Sequence, residues 1–105
     1  MLQINSTDFK KEVLDSPIPV LVDFFAVWCG PCQMQTPVLE ELSGAWSDKI
    51  KIVKIDVDQN QEIAGQYGVM SIPTMIIFQK GQPVNQLIGF QNKEKLESIF
   101  QEVTK

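Results

Sequence analysis

The chain has 105 residues, of which 44% are hydrophobic and 21% are charged, and its formal net charge is -4 at pH 7. This length fits one domain over residues 1–105, and a domain of this size buries about two thirds of the surface that its unfolded chain exposes. The acidic balance argues against binding to nucleic acid or an anionic membrane surface, and no run of about twenty apolar residues is present to cross a membrane.

The first half of the chain alternates strand and helix patterns. Residues 2–5 predict a short strand, and the capping side chains that follow predict a helix ending near Leu14. Residues 20–27 are almost continuously apolar, as expected of a central strand covered on both faces. A longer helix is predicted to begin near Pro31, because proline is tolerated in the first helical turn. The buried stripe predicted for this helix consists of Val38, Leu39, Leu42, Ala45 and Trp46.

The second half of the chain ends in a hairpin and a helix. Residues 50–57 have strand character, and Asp58 and Asn60 are predicted caps of a short helix that ends at Gly68. Residues 74–78 and 84–88 predict two strands, joined as a hairpin through residues 80–83. Asn92 is the predicted cap of a final helix. The predicted core face of that helix consists of Leu96, Ile99, Phe100 and Val103.

The order of these elements predicts the fold class. It reads β-α-β-α-β-α-β-β-α, in which strand–helix alternation implies parallel strand pairs and the final hairpin implies an antiparallel edge. We therefore predict an α/β fold with helices on both faces of the sheet. No linker, repeat or low-complexity segment divides the chain, so we expect a single domain.

Both cysteines of the chain lie in the segment Trp28-Cys29-Gly30-Pro31-Cys32, and the chain has no histidine. Two thiols separated by two residues, between a strand pattern and a helix pattern, are typical of reversible thiol–disulfide exchange. Cys29 precedes the predicted helix, where free N–H groups and the helix dipole favour a thiolate. We therefore assign Cys29 as the attacking thiol. Cys32, expected to be more buried, is the resolving thiol, while Gly30 permits a close turn and Pro31 stiffens the pair.

A cysteine pair can also be half of a zinc site or a static structural disulfide. Zinc usually takes four ligands drawn largely from Cys and His, and this chain offers no others. We therefore predict no bound metal. A disulfide between cysteines this close in sequence restrains little of the unfolded chain, and the hydrophobic content suffices for a core without it. The structural reading is therefore also disfavoured.

One carboxylate, Asp23, lies inside the apolar run of residues 20–27. Charged residues rarely lie within a buried strand unless they are paired or functional. Because burial raises the pKa of an aspartate, Asp23 is the leading candidate to exchange a proton with Cys32, directly or through water. The alternative is a buried carboxylate held by hydrogen bonds, with no part in the chemistry.

Several segments of the chain together resemble the thioredoxin family in their order and spacing. They are Val22-Asp23-Phe24-Phe25-Ala26, Trp28-Cys29-Gly30-Pro31-Cys32, Pro37, Asp56-Val57-Asp58 and Ser71-Ile72-Pro73-Thr74, followed by Gly89. The resemblance extends over essentially the whole chain. It implies a thioredoxin fold, with a mixed five-stranded sheet sandwiched between helices. It also implies a protein-disulfide reductase that acts as a general electron carrier.

The resemblance implies roles for individual residues near the cysteines. It gives Asp23 the proton-transfer role and makes Lys54 its electrostatic neighbour, although Lys54 read alone is an ordinary solvated strand residue. It implies a cis peptide bond before Pro73, whereas an X-Pro bond taken alone is predicted to be trans. The backbone of Ile72 would then pair with an extended segment of the substrate.

The resemblance also implies a flat apolar docking surface around the cysteines. Its members are Trp28, Gly30, Pro31, Ile72, Pro73 and Gly89. Such a surface would admit many protein disulfides with little side-chain specificity. Tyr67 is expected to support the core, and Phe90 is compatible with either the core or the surface.

The chain departs from common family choices at a few positions. Phe25 stands where a second tryptophan is frequent, and Gln33 replaces a basic residue often found after the second cysteine. Gln35 and Thr36 are more polar than usual. The missing charge at Gln33 is expected to alter partner choice or to weaken thiolate stabilisation slightly. None of these changes removes a group that the exchange requires.

The resemblance finally implies the source of electrons and the partners. We expect no bound cofactor in the chain itself. Electrons would come from NADPH through a flavin-containing thioredoxin reductase, or from a ferredoxin-linked reductase. The expected partners are that reductase and disulfide-containing protein substrates, with the chain acting as a monomer that binds neither nucleic acid nor membrane.

Two alternatives to a reductase remain at this point. A disulfide oxidase or isomerase is disfavoured, because Gly30-Pro31 is the family's reducing spacer. The other alternative, from a different class, is a non-catalytic binding module or subunit on the same fold. Because residues 1–5 lack the features of a secretory signal peptide, we expect a cytoplasmic protein. An organelle stroma or matrix is the expected location if a presequence has been removed.

Overall fold

The computed structural model describes residues 1–105 and contains one five-stranded sheet. The strands are β1 (Leu2–Ile4), β2 (Val20–Phe25), β3 (Lys51–Asp56), β4 (Thr74–Gln79) and β5 (Gln82–Ile88). The α-helices are α1 (Gly30–Ala45), α2 (Gln61–Gln66) and α3 (Lys93–Val103). The predicted first helix forms as a 3-10 turn at Ser6–Asp8 and a π-helical segment at Lys10–Leu14. The predicted order of strands and helices is therefore confirmed.

The sheet is mixed, with strand order β1-β3-β2-β4-β5. β3 runs parallel to β1 and β2, whereas β4 is antiparallel to β2 and β5. The expectation that strand–helix alternation makes every pair before the hairpin parallel is therefore wrong for β4. The six residues of α2 span only about 9 Å, against about 20 Å for a strand of six residues. α2 by itself therefore does not carry the chain back along the sheet, and the chain re-enters the sheet at the edge at which β3 ends.

The central strand β2 is buried along its whole length, as its apolar sequence predicts. Because side chains alternate between the faces of a strand, Val20, Val22 and Phe24 contribute to one core cluster and Leu21 to another. The first cluster also includes residues of the N-terminal helical segments and α2. The second is formed with α1 and α3. Helices therefore cover both faces, and Asp23 shares the α1 face with Leu21.

The helix faces agree with the sequence pattern except at one position. Leu39 and Leu42 of α1 are fully buried, and Val38 and Trp46 pack partly buried against the same cluster. Ala45 is exposed, so its predicted place in the buried stripe is wrong. At about 100° of rotation per residue, Ala45 lies at the margin of the stripe, on the side of Val38.

The predicted face of α3 is confirmed, since Leu96 and Phe100 are fully buried and Ile99 and Val103 pack against them. Asn92 caps this helix through a hydrogen bond that its Oδ1 accepts from the Lys95 N–H at 2.9 Å.

Two polar residues predicted to cap α2 have other partners. Asn60 is at the N-cap position but makes no side-chain capping bond. Its amide donates to the Asp56 carbonyl at 2.9 Å, and its Oδ1 accepts from the Ser6 N–H at 2.7 Å. The Asp58 carboxylate accepts a hydrogen bond from Trp28. The predicted capping roles are therefore wrong, because longer-range polar groups compete for the same atoms.

The hairpin between β4 and β5 turns through fewer residues than predicted. β4 ends at Gln79 and β5 begins at Gln82, so only Lys80 and Gly81 form the turn. Both have positive φ, 53° for Lys80 and 79° for Gly81, as a tight two-residue hairpin requires. Gln82 and Pro83 therefore belong to β5, which is an edge strand where proline is tolerated.

Candidate active site

The two cysteines lie where the buried strand β2 gives way to the longest helix. β2 ends at Phe25, and a turn closed by the Cys29 N–H on the Ala26 carbonyl at 3.2 Å leads directly into α1. Cys29 is the N-cap residue of α1, with Pro31 in the first turn, so the predicted start of this helix is confirmed. The Cys29 sulfur accepts a hydrogen bond from the Cys32 N–H at 3.2 Å. It occupies a position at which helix N–H groups stabilise negative charge.

Cys29 and Cys32 are joined by a disulfide, with their Cα atoms 5.3 Å apart. Cys29 is 3% exposed and Cys32 is 2% exposed, so the predicted difference in burial between them is not present in this oxidised state. Both pack with Phe25 and Ala26. Their positions on the helix, one at the cap and the other within the first turn, are what distinguish them.

Asp23 is almost completely buried, at 1% exposure. Neither of its carboxylate oxygens accepts a hydrogen bond from another protein group. The hydrogen bonds expected of a purely structural buried carboxylate are therefore absent. Burial removes the carboxylate from water and raises the pKa of Asp23 from 3.8 to about 7, although the positive charge of Lys54 opposes this rise. Asp23 consequently titrates in the neutral pH range.

Lys54 lies opposite Asp23 in the pairing of β2 with β3. Its Nζ is 4.7 Å from the centroid of the Phe25 ring, which is close enough for a cation–π interaction. Lys54 and Cys32 line the same cavity of about 200 Å³. The other residues lining it are Phe25, Ala26, Val27, Gln33 and Thr36. Lys54 is therefore held near the cysteines rather than being an ordinary solvated strand residue.

The segment before β4 adjoins the end of β5. The Ile72–Pro73 peptide bond is cis, as the resemblance implied. The Pro73 carbonyl accepts a hydrogen bond from the Gly89 N–H at 2.8 Å. Gly89 has a φ of 85°, which suits glycine at this close approach of two chain segments. Ile72 is half-buried and packs against the cluster that holds the cysteines.

The predicted docking surface is exposed at most but not all of its members. Trp28 is 68% exposed, and its Nε1 donates a hydrogen bond to Asp58 at 2.7 Å. Gly30 and Pro31 are exposed, and Gly89 is half-buried. Pro73 is buried, so its predicted place in the exposed surface is wrong: it lies directly before β4, whose first five residues are all buried.

Two further apolar side chains are exposed next to these residues, and the sequence pattern did not single them out. Met70, two residues before Ile72, is 96% exposed, and Ile88, next to Gly89, is 65% exposed. Phe90 is 40% exposed, which resolves its ambiguous prediction in favour of the surface. Tyr67 is half-buried and its ring contacts those of Phe9 and Phe78; its predicted core role is confirmed. The only feature of the sequence that could have identified Met70 is that it is an apolar residue outside the helices and strands.

No group of three or more His, Cys, Asp or Glu side chains is arranged to hold a metal ion. None of the helices has both the length and the apolar character that a membrane crossing requires. The reactive groups that the structure shows in this region are the Cys29–Cys32 pair and the titratable carboxylate of Asp23.

Comparison with known proteins gives matches along nearly the whole chain. A family model described as Thioredoxin matches residues 1–102. The thioredoxin of Alicyclobacillus acidocaldarius subsp. acidocaldarius is 52% identical over 93 residues, covering 89% of this chain and 89% of that protein. The thioredoxin of Bacillus subtilis (strain 168) is 52% identical over 99 residues, covering 94% of this chain and 95% of that protein. Thioredoxin 1 of a Nostoc species is 48% identical over 99 residues, covering 94% of this chain and 92% of that protein.

These matches agree with the fold and with the cysteine pair. The mixed five-stranded sheet between two layers of helices is the predicted thioredoxin fold. The pair at the start of α1 is within disulfide distance and is suited to carry two electrons reversibly. The chain belongs to the thioredoxin family, and it is a thiol–disulfide oxidoreductase that reduces protein disulfides.

Proposed function

We propose that Cys29 is the attacking thiol in the reduction of protein disulfides. In the reduced protein, the Cys29 thiolate attacks one sulfur of a substrate disulfide. A mixed disulfide forms between Cys29 and the substrate, and the second substrate sulfur leaves as a thiolate. The observation that carries this proposal is the position of the Cys29 sulfur at the N-cap of α1, where it accepts the Cys32 N–H.

Cys32 resolves the mixed disulfide in the second step. Its thiolate attacks the Cys29 sulfur, the bond from Cys29 to the substrate breaks, and the substrate leaves as a dithiol once its thiolates take up protons. The substrate has gained two electrons, and Cys29 and Cys32 are left as the disulfide described above. Because the two cysteines are close together, this intramolecular step is fast, and the mixed disulfide between Cys29 and the substrate does not persist.

Asp23 accepts the proton that Cys32 must lose. A carboxylate with a pKa of about 7 can accept and release a proton at neutral pH. Lys54 acts as a positioning residue, because its positive charge opposes the rise in the pKa of Asp23 that burial causes. Its location on the cavity that also reaches Cys32 supports this assignment.

The docking surface, without the buried Pro73, receives the substrate around the disulfide. Trp28, Gly30 and Pro31 form one side of it, and Ile72 and Gly89 form the other. The backbone of Ile72 pairs with an extended segment of the substrate, and the apolar side chains exclude water from the exchanging sulfurs. Such contacts are compatible with many substrates, since they involve few specific side chains.

The oxidised chain is returned to the dithiol by a separate reductase. NADPH through a flavin-containing thioredoxin reductase is one source of electrons, and a ferredoxin-linked reductase is the other. Incubation of the oxidised chain with each reductase distinguishes the two, because only the physiological type regenerates free thiols rapidly. The chain acts as a monomer of one domain, in the cytoplasm or in an organelle stroma or matrix.

Reduction of insulin disulfides tests the proposed roles of the cysteines. Wild type should catalyse the reduction with dithiothreitol as donor, and Cys29→Ser should not. Cys32→Ser should accumulate a mixed disulfide through Cys29, which mass spectrometry of the trapped complex locates. A binding module would be inactive as wild type, and an oxidase or isomerase would act faster on reduced or scrambled substrates than on insulin. If instead the Cys29→Ser variant formed the mixed disulfide with the substrate through Cys32, and Cys32→Ser formed none, the assignment of the two cysteines would be reversed.

A further inference from the structure

Gln35 is a polar side chain that the exchange reaction does not use, yet it is fully buried, at 0% exposure. Its Oε1 accepts a hydrogen bond from the Gln91 N–H at 2.8 Å, and its Nε2 donates to the Gln91 carbonyl at 3.0 Å. The side-chain amide therefore pairs with the backbone of a residue 56 positions away in the chain. A buried side-chain amide whose oxygen and nitrogen are both hydrogen-bonded favours one arrangement of the segments that it joins.

The two segments joined by Gln35 both belong to the active site. Gln35 lies on α1 three residues after Cys32, and both side chains are buried on the same side of the helix. Gln91 lies two residues after Gly89, whose N–H donates to the Pro73 carbonyl. Residues 89–91 are therefore tied to the cysteine-bearing helix by Gln35 and to the segment before β4 by Gly89.

Residues 89–91 have no strand or helix of their own, since β5 ends at Ile88 and α3 begins at Lys93. Side-chain hydrogen bonds therefore contribute much of what holds them in place. The Gln91 amide donates to the Ile88 and Gly89 carbonyls, each at 3.3 Å. These two bonds hold the segment together internally. Of the side-chain hydrogen bonds that residues 89–91 make, only those with the Gln35 amide link the segment to α1.

We propose that Gln35 is a positioning residue for substrate binding. Its amide holds residues 89–91 beside the cysteines, so that Gly89 and the half-exposed Phe90 meet a protein substrate in the correct place. Gln35 itself is buried and touches no substrate. This inference rests on the proposed function, because it assigns the Gly89 side of the docking surface a role in recognition.

A small-molecule disulfide substrate distinguishes a positioning role of Gln35 from general destabilisation of the fold, because it reaches Cys29 without occupying the docking surface. In Gln35→Leu, which keeps the size but loses both hydrogen bonds, we expect KM for insulin to rise about 3- to 10-fold with little change in kcat. The rate with 5,5′-dithiobis(2-nitrobenzoate) should remain that of wild type. The matched control is Leu39→Ala, which weakens the core on the same helix and should leave the ratio of the two activities unchanged.

Gln35→Glu provides a second test that does not depend on the leucine variant folding. A protonated carboxyl group can donate to the Gln91 carbonyl and accept from its N–H, whereas a carboxylate can only accept. The ratio of insulin to small-disulfide activity should therefore approach that of wild type at low pH and fall as the pH rises. The ratio removes the pH dependence of Cys29 itself, because both substrates require its thiolate.

The outcomes distinguish a failure of the proposed function from a failure of the positioning role of Gln35. Absence of insulin reduction by wild type would refute the proposed function itself. With active wild type, an unchanged KM in Gln35→Leu, or an equal loss with both disulfides, would overturn the positioning role. A pH-independent ratio in Gln35→Glu would overturn it as well. A selective rise in KM for insulin, reversed at low pH in Gln35→Glu, would establish it.

Discussion

Asp23→Asn should stabilise the oxidised protein, and the gain should depend on pH in a defined way. The carboxylate of Asp23 is buried at 1% exposure without a hydrogen bond from another protein group. Its pKa is about 7 in the folded protein and about 3.9 in an unfolded chain. Asparagine keeps nearly the same shape and carries no charge at any pH, so it removes the cost of ionisation in the core.

The sign follows from proton binding. Between these two pKa values, the native state holds a proton that the unfolded state has released, so the stability of wild type falls as pH rises. The stability contributed by the neutral carboxyl group is fully present below about pH 3.9 and is lost as pH rises to 7. A difference of about 3 pKa units, at about 1.4 kcal/mol each, amounts to about 4 kcal/mol.

The assay is equilibrium unfolding by guanidinium chloride at a series of pH values from 4 to 8.5. The difference in free energy of unfolding between Asp23→Asn and wild type should grow by about 1.4 kcal/mol per pH unit and level off above pH 7. Asp48→Asn is the matched control, because it removes one carboxylate that is exposed. A difference between Asp23→Asn and wild type that stays constant over this range would refute the argument that burial raises the pKa of Asp23 to about 7.

Three further predictions concern the electrostatics, the core and a helix cap. Lys54→Met should raise the pKa of Asp23 further, because the opposing positive charge is lost; an NMR titration of the Asp23 carboxyl carbon measures this, and an unchanged or lower pKa would contradict it. Phe78→Ala should lower the free energy of unfolding by about 3–5 kcal/mol, since Phe78 is buried against two aromatic rings; a loss below about 1 kcal/mol in urea unfolding would exclude this packing. Asn92→Ala should cost about 0.5–2 kcal/mol through loss of the α3 cap, and a neutral result in the same assay would show that the cap contributes nothing.

The elements predicted with success were those whose signal is local. The apolar run around Asp23 identified the one strand that is buried along its length, because a strand covered on both faces requires apolar side chains on both. Pro31 after Cys29 marked the start of α1 for a similar reason, since proline is favoured only where helix N–H groups lack partners.

The features that the sequence did not predict depend on contacts between distant residues. Asn60 has a typical capping sequence position, but its side chain bonds to Ser6 and Asp56 instead. Gln35 is recognisable as an unusual polar residue, yet its partner, Gln91, is identified only when α1 and the end of β5 are seen side by side. The burial of Pro73 likewise follows from packing before β4 rather than from the residues next to it.

The direction of β4 was mispredicted for a geometrical reason. Alternating strands and helices predict parallel pairs only when each helix is long enough to return the chain to the opposite edge. α2, with six residues, does not cover this distance by itself, and the sequence pattern does not show where the rest of the connection between β3 and β4 leaves the chain. The resulting antiparallel entry places Thr74 opposite Phe24, near the end of β2 that leads to the cysteines.

Alkylation of the reduced protein with a limiting amount of iodoacetamide at pH 7 tests the assignment of the two thiols most directly. Peptide mass spectrometry then reports which sulfur has reacted. Because the cap of α1 stabilises a thiolate at Cys29, we predict modification of Cys29 well before Cys32. Equal labelling of the two sulfurs, or faster labelling of Cys32, would contradict the account.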